Sequence, residues 1–554
     1  MPLPIPRPFW RRALLTLAAV YLLFPLLSLA RPAGAAQEAA TSITMPGDPS
    51  GEAAGGSLSH ANTSLQGYQP GQTDANVVRA LYSINIVWVL ICGFLVMFMQ
   101  TGFALLETGL CRAKNAAHTM SMNFMVYALG MIAFWAVGFA LMCGGVNGVP
   151  HGATSPPIGG PGNIGGVPQL NHMVYITVLG KPFGLFGARG FFLSGTSYDA
   201  AVAVYFLFMM VFMDTAATIP TGALAERWKF SSFFLFSLLI GALIYPVYGC
   251  WMWGGGWLSQ LGLNFKLGHG AVDFAGSSVV HMQGGVMALV TAWIMGPRIG
   301  KYDSEGRPRP ILGHHIPMVI TGTFILAFGW FGFNAGSAMS ATNGRIGLIA
   351  VNTMLAGGAG ALISALYLWF RFGKPDPSMM CYGMLAGLVA ITAPCAFVPP
   401  WAAVLIGAVA GLIADQAVFF WERRGIDDPV GAISVHGVAG LWGLIAVGLF
   451  ADGTYTGANN LYNGVPGGVR GLFYGDGSQL TAQLIAAGSC FIWNFAVAGI
   501  GFKLIGKLLG SNRVPPEVEV AGLDIPEMGA PGYPEFITPL APEMISYSQI
   551  ESMR

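Results

Sequence analysis

Two histidines share an unusual frame. Asp273, Gly276, Val280, His281 and Gly285 are matched, offset for offset, by Asp428, Gly431, Val435, His436 and Gly440. Imidazole titrates near pH 6.5 and both takes and gives protons near neutrality, so a pair of histidines in apolar surroundings suits proton transfer. The acid that opens each run occupies an N-cap position, where a carboxylate accepts backbone N–H groups and complements the helix dipole. Capping is the expected role of Asp428; for Asp273, capping and a part in the chemistry stand side by side. At roughly 1.5 Å per residue, each histidine lies about 12 Å further along its helix than the acid. Two nitrogens without a nearby Cys or carboxylate ligand form an incomplete metal site, so neither metal nor cofactor is expected. No nucleophile and base are spaced for covalent catalysis, which argues against an enzyme.

The elements that must hold these histidines are membrane helices. Of 554 residues, 54% are hydrophobic and 9% charged, with a net charge of +1; a soluble chain carries about 25% charged residues. The balanced charge also speaks against a nucleic-acid binder. Glycine numbers 78, and small residues let membrane helices approach closely. The seven cysteines are scattered, contain no CxxC pair and are expected to be packing residues.

Arg7, Arg11 and Arg12, an apolar run from Ala13 to Ala30 and the small residues Ala33 to Ala36 have the order of a secretory signal peptide, assigned to residues 1–36. Residues 37–78 read as a polar external linker, 79–510 as the transmembrane domain and 511–554 as a cytoplasmic tail. Eleven apolar intervals are long enough to span: Ala80–Leu106, Thr119–Cys143, Ala200–Ala225, Phe230–Trp253, Phe274–Gly296, Ile316–Ala338, Ile346–Phe370, Met379–Phe397, a ninth separated from it by Pro399-Pro400 and ending near Trp421, Val430–Ala451 and Leu480–Phe502. Loops after odd-numbered spans hold fifteen Lys and Arg, while those after even-numbered spans hold five, namely Lys181, Arg189, Lys266, Arg345 and Arg470. The positive-inside rule then places the N-terminus outside and the C-terminus in the cytoplasm of an inner-membrane, multi-pass protein. The two histidine runs open the fifth and tenth spans, so they cross in opposite directions. This is a 5+5 inverted repeat with one extra helix, an arrangement that puts the working site near the midplane.

Longer blocks carry a family resemblance. Gly222-Ala-Leu-Ala-Glu226-Arg227, Trp253-Gly-Gly-Gly256, Asp273-Phe-Ala-Gly276, Val280-His281, Gly329-Trp-Phe-Gly-Phe-Asn-Ala-Gly336-Ser337 and Asp428 through Gly437 resemble the ammonium transporter family (Amt/MEP/Rh), in particular its bacterial Amt branch. The resemblance covers about Ala80 to Ile525. It implies a homotrimer with one pore per subunit, an outer ammonium site of Phe212, Trp253 and Ser337, a gate of Phe212 and Phe333, and a narrow apolar pore lined by His281 and His436 as proton relay. Asp273 would support the recruitment region. An aromatic face attracts a small cation by about 0.5–2 kcal/mol. Potassium resembles ammonium in size but has no proton to lose, so deprotonation separates the two. The tail, through Arg513-Val-Pro and Glu519-Val-Ala-Gly-Leu-Asp524, resembles one that meets P-II-class signal proteins. The resemblance leaves two alternatives open: an ammonium sensor acting through the tail, and an Rh-like channel for neutral gas.

The chain departs from the family pattern in two places. Phe208 is followed by Met209 where Gln is common, and Met528-Gly529 stands where His-Gly is usual. The external loop from Gly144 to Tyr198 is expected to be a passive insert, and Pro220 to kink the third span. Asp214 is expected to make an interhelical hydrogen bond, and Asp415 to be solvated or paired. His60, His118, His151, His172, His269, His314 and His315 are expected at the surface.

Overall fold

A computed structural model describes residues 75–148, 161–456 and 461–536. The signal peptide, His60, His151 and residues 537–554 lie outside the described residues; of the linker, only residues 75–78 are described, and they open the first helix.

The apolar intervals become a helical bundle. Its members are α1 (Ala75–Leu110), α2 (Ala116–Ala133, prolonged through Cys143), α3 (Ala200–Ala223), α4 (Phe230–Leu239, prolonged through Met252), α5 (Gln283–Met295), α6 (Ile316–Asn334), α7 (Arg345–Phe372), α8 (Pro377–Ile391), α9 (Pro400–Arg423), α10 (Ala439–Phe450) and α11 (Gly477–Leu509). Among the described residues, ten helical stretches are long and apolar enough to cross a membrane. The eighth interval differs from the expectation. Its helix stops at Ile391 after 15 residues, because the chain beyond it turns its backbone outward to another segment. The carbonyls of Thr392 and Ala393 accept from Ala275 N and Phe274 N at 3.1 Å each, and Ala393 N donates to Ser277 Oγ at 2.7 Å. A broken helix end is tolerated in a membrane only where such partners exist.

The two histidine runs fold alike. Ser277–Met282 leads into α5 and Ile433–Val438 into α10, and both are wide π turns, a form that concentrates at functional sites. Gly276 and Gly431, at matching offsets, take positive φ values of 120° and 69°; only glycine adopts these without strain. Each wide turn packs on the other run's helix, Ile433–Val438 on α5 and Ser277–Met282 on α10. Close approach comes from small residues here. A Cβ at Gly285 would sit 2.2 Å from Gly437 N, and one at Gly440 would sit 2.5 Å from the Ser277 carbonyl oxygen.

Residues 173–187 form an antiparallel hairpin of β1 (Met173–Val178) and β2 (Lys181–Gly187), within the loop expected to be a plain insert. Pro220 lies inside α3.

The tail folds back on the bundle. Residue 519 lies in a short helix, α12 (Pro516–Ala521). Leu523 N donates to Asn115 Oδ1, His118 N to Asp524 Oδ1, Phe230 N to Glu527 and Ile299 N to Glu519, at 2.7–2.9 Å. It thereby ties together the loops after α1, α3 and α5.

Candidate functional site

A single column of rings runs through the bundle. Trp253, at the end of α4, meets Phe212 of α3 edge to face at 6.0 Å. Phe212 stacks on Phe333 of α6 at 4.2 Å between centroids. Phe333 stands 5.4 Å from His281, and His281 5.2 Å from His436 with rings 22° apart. Phe103 of α1 follows at 5.9 Å from His436. The two imidazoles touch through Nδ1 and Nδ1 at 3.2 Å. Trp330 backs His281 at 5.2 Å and is itself pinned, its Nε1 donating to Thr392 Oγ1 at 2.9 Å. Phe212, Phe333, His281 and Ser337 are all 0% exposed, so the stacked phenylalanines close the column. Among the described residues His281 Nε2 has no hydrogen-bond partner.

The remaining sequence-predicted residues frame this column. Ser337 lies one helical turn past Phe333 and donates its hydroxyl to the Phe333 carbonyl at 2.8 Å, which leaves its oxygen free to accept. Trp253 Nε1 donates to the Asp273 carbonyl oxygen at 2.8 Å, so the first histidine run also orients this indole. The Asp273 carboxylate itself is consumed by its own helix start. It accepts from Gly276 N, Ser277 N, Ser278 N, Ser278 Oγ and Val279 N at 2.7–3.0 Å. Capping is therefore its visible role, and the side chain faces backbone. Asp428 is the weaker counterpart, accepting from Ile433 N at 2.7 Å and Val430 N at 3.3 Å.

Beyond His436 lies a narrow cavity, wide enough for about one water-sized molecule. Its walls include Phe103, Glu107, Ile219, Tyr382, Val435 and His436. Sequence reasoning passed over Glu107 because it sits beside a basic loop and read as the edge of a span. The available signal was an acid one helical turn inside α1, since ionisable residues within spans are functional by default.

A second feature, also missed, is a buried ion cluster at the tail end of the bundle. Glu226 accepts from Arg112 Nε at 2.7 Å and lies 3.3 Å from Arg298 Nη1. Asp427 takes Arg298 in two parallel hydrogen bonds, at 2.8 and 2.9 Å. Burial opposes the charge on Asp427, but the Arg298 and Arg227 guanidiniums outweigh it and hold the carboxyl well below the usual carboxylate range. Burial likewise opposes the charge on Glu226, and Arg298 and Arg112 again win, so its pKa is lowered.

Several expectations are corrected. His118 and His269 are buried rather than at the surface. The returning tail covers the first, whose backbone N–H meets Asp524. The second is enclosed by the 461–467 segment, through Gly467 and Asn463. Asp214 Oδ1 is buried without a partner among the described residues, in place of the expected interhelical bond. Asp415 is buried and makes no ion pair among the described residues. His172 and His315 are exposed, while half-buried His314 meets the Cys111 carbonyl and Tyr533 of the tail. No group of three or more His, Cys, Asp or Glu residues among the described residues could hold a metal ion.

Comparison with known proteins places this architecture. The model of the Ammonium Transporter Family matches residues 87–533. Ammonium transporter Amt2 of Archaeoglobus fulgidus is 49% identical over 456 residues, covering 82% of this chain and 89% of its own. Among solved structures, one described as a sensor Amt protein is similar at a TM-score of 0.66 with 33% identity, over 81% of this chain and 99% of that one. Mep2 of Candida albicans is similar at 0.63 with 26% identity, over 77% and 85%. A family match over most of the chain, on a bundle of apolar helices around a closed aromatic column, makes this multi-pass membrane protein a member of the ammonium transporter family.

Proposed function

We propose that the chain carries ammonium across the inner membrane by separating it into ammonia and a proton. Ammonium is drawn to Trp253 and Phe212, with the Ser337 oxygen accepting one N–H bond. Opening of the Phe212 and Phe333 stack admits it to the column, where it loses its proton. Neutral ammonia passes the apolar lumen while the proton moves through His281 and His436. Asp273 positions His281 and Trp253 through the backbone.

The observation that carries this reading is the 3.2 Å contact between the two Nδ1 atoms. In a pair joined in this way one ring donates and the other accepts. A proton added to the free Nε2 of the donor ring releases the shared Nδ1 proton to the other ring, which can then shed one from its own Nε2. The contact is thus a wire for protons, and potassium has none to offer. A hydrated ion would also have to strip its water beneath two fully buried phenylalanines.

In the same reading the bundle has eleven spans, α8 among them, arranged as a 5+5 inverted repeat plus α11. The N-terminus is outside, after a signal peptide, and the tail is cytoplasmic. Three copies assemble, each with its own pore, and the tail surface receives a P-II-class partner. The test is the current evoked by an ammonium pulse in proteoliposomes. His281→Ala and His436→Ala should lose it or leak potassium; unchanged current and selectivity in both would overturn the relay. The folded-back tail gives a sensor reading its one specific support, and wild-type protein that binds ammonium without passing current would favour it.

A further inference from the structure

His436 lines the single-molecule cavity, and a carboxylate, Glu107, lines it too. Glu107 is 2% exposed and belongs to α1. It accepts from Asn123 Nδ2 of α2 at 2.7 Å and from Thr221 Oγ1 of α3 at 2.8 and 3.0 Å. These donors are neutral, and among the described residues no Lys, Arg or His pairs with it. The neighbouring acids are otherwise engaged: Glu226 and Asp427 by arginines, and Asp428 by N–H groups of its own helix start. Glu107 is thus the acid that both faces the cavity and lacks a counter-ion. An uncompensated carboxylate in a membrane bundle is costly, which a role in the traffic through the cavity would account for.

We propose that Glu107 is the proton-exchanging residue on the cytoplasmic side of the histidine pair, which rests on the relay reading above. A proton arriving on His436 leaves as its N–H bond breaks. It crosses the one molecule in the cavity, and an O–H bond forms on Glu107. That O–H bond then breaks as an N–H bond forms on ammonia reaching the cavity, which yields ammonium and restores the carboxylate. The electron pairs stay on nitrogen and oxygen throughout, and one charge crosses with each ammonia. Asn123 and Thr221 orient the acid and can hydrogen-bond to either protonation state.

The test uses the full chain in proteoliposomes and reads ammonium-evoked current and luminal alkalinisation from the same vesicles. Glu107→Gln keeps the shape and the hydrogen-bond acceptor but cannot take a proton. Its current should fall about 100-fold, the lower range for a positioned acid or base, while luminal alkalinisation, slight in wild type because each ammonia brings its proton, rises as neutral ammonia enters alone. Glu107→Asp should recover a substantial part of the current. If the histidine variants lose current and Glu107→Gln keeps it, Glu107 is only a hydrogen-bond hub and the relay stands without it. If the histidine variants keep current and selectivity, the relay itself fails, and this proposal with it. Loss of folded protein, or of both fluxes, in Glu107→Gln and Glu107→Met alike would make the residue structural and overturn the proposal.

Discussion

The histidine contact is set by backbone, so it can be disturbed without touching a titratable group. A Cβ on Gly285 would lie 2.2 Å from Gly437 N and 2.3 Å from Gly437 Cα. Ordinary contact begins near 3.4 Å, so α5 and the wide turn before α10 must part by about 1.2 Å. Backbone on both sides leaves no flexible side chain to absorb the strain. His281 lies one turn before Gly285, and His436 adjoins Gly437. If the whole displacement falls on the pair, the 3.2 Å contact opens to about 4.4 Å, beyond hydrogen-bond reach. Overpacking of this kind costs about 1–3 kcal/mol of stability, which leaves folded protein to assay. A misplacement of about 1 Å can cost about 100-fold in rate. Gly285→Ala should therefore elute as folded protein and show an ammonium current reduced by about that factor. Gly437→Ala is the matched control: its nearest neighbours are 3.4 Å away, and it should retain most of its current although it is the closer in sequence to a histidine. A Gly285→Ala current within twofold of wild type, or a Gly437→Ala loss as large as that of Gly285→Ala, would refute the claim that helix approach sets the pair.

Three further outcomes follow from the supporting structure. Asp273→Asn leaves one acceptor oxygen where two share five hydrogen bonds; with charge-assisted bonds worth about 1.5–3 kcal/mol each, the loss is on the order of 3 kcal/mol, seen as a fall in melting temperature in detergent, and an unchanged melt would count against capping. Asp427→Asn breaks a buried pair and should cost about 3–5 kcal/mol. Because Asp427 and Glu226 have folded pKa values below their unfolded ones, their stabilisation is complete above about pH 4 and is lost as pH falls through the lowered values; the melting-temperature difference between wild type and Asp427→Asn should be constant from about pH 7 to 5 and shrink below about pH 4. Glu519 holds Arg513 and the Ile299 N–H, so Glu519→Ala should make the tail a faster substrate for limited proteolysis while the ammonium current persists.

Patterns that local chemistry controls were legible in the sequence. Charge-free intervals located the helices, and the repeated Asp, Gly, Val and His offsets brought His281 and His436 forward as partners, because capping acids and positive-φ glycines act within one turn. Features that depend on distant segments were not legible. The early end of α8 follows from Phe274, Ala275 and Ser277, more than 100 residues away. His118 is buried because the tail returns to it, and Asp427 meets Arg298 across 129 residues. Glu107 was visible as an acid but not as a cavity wall, since the wall also needs Tyr382 and His436 from two other helices.

The geometry of the histidine pair therefore depends on packing between the two histidine runs more than on either run alone. Each run supplies a carboxylate cap, a positive-φ glycine, a wide turn and a histidine, and each wide turn lies against the other's helix. The glycines at the crossings have no side chains, so the contacts there are between backbones and resist compression. In the proposed relay a run with every motif residue intact would still fail if its neighbour moved by an ångström, which is why Gly285, with no chemistry of its own, is expected to matter as much as the histidines it brings together.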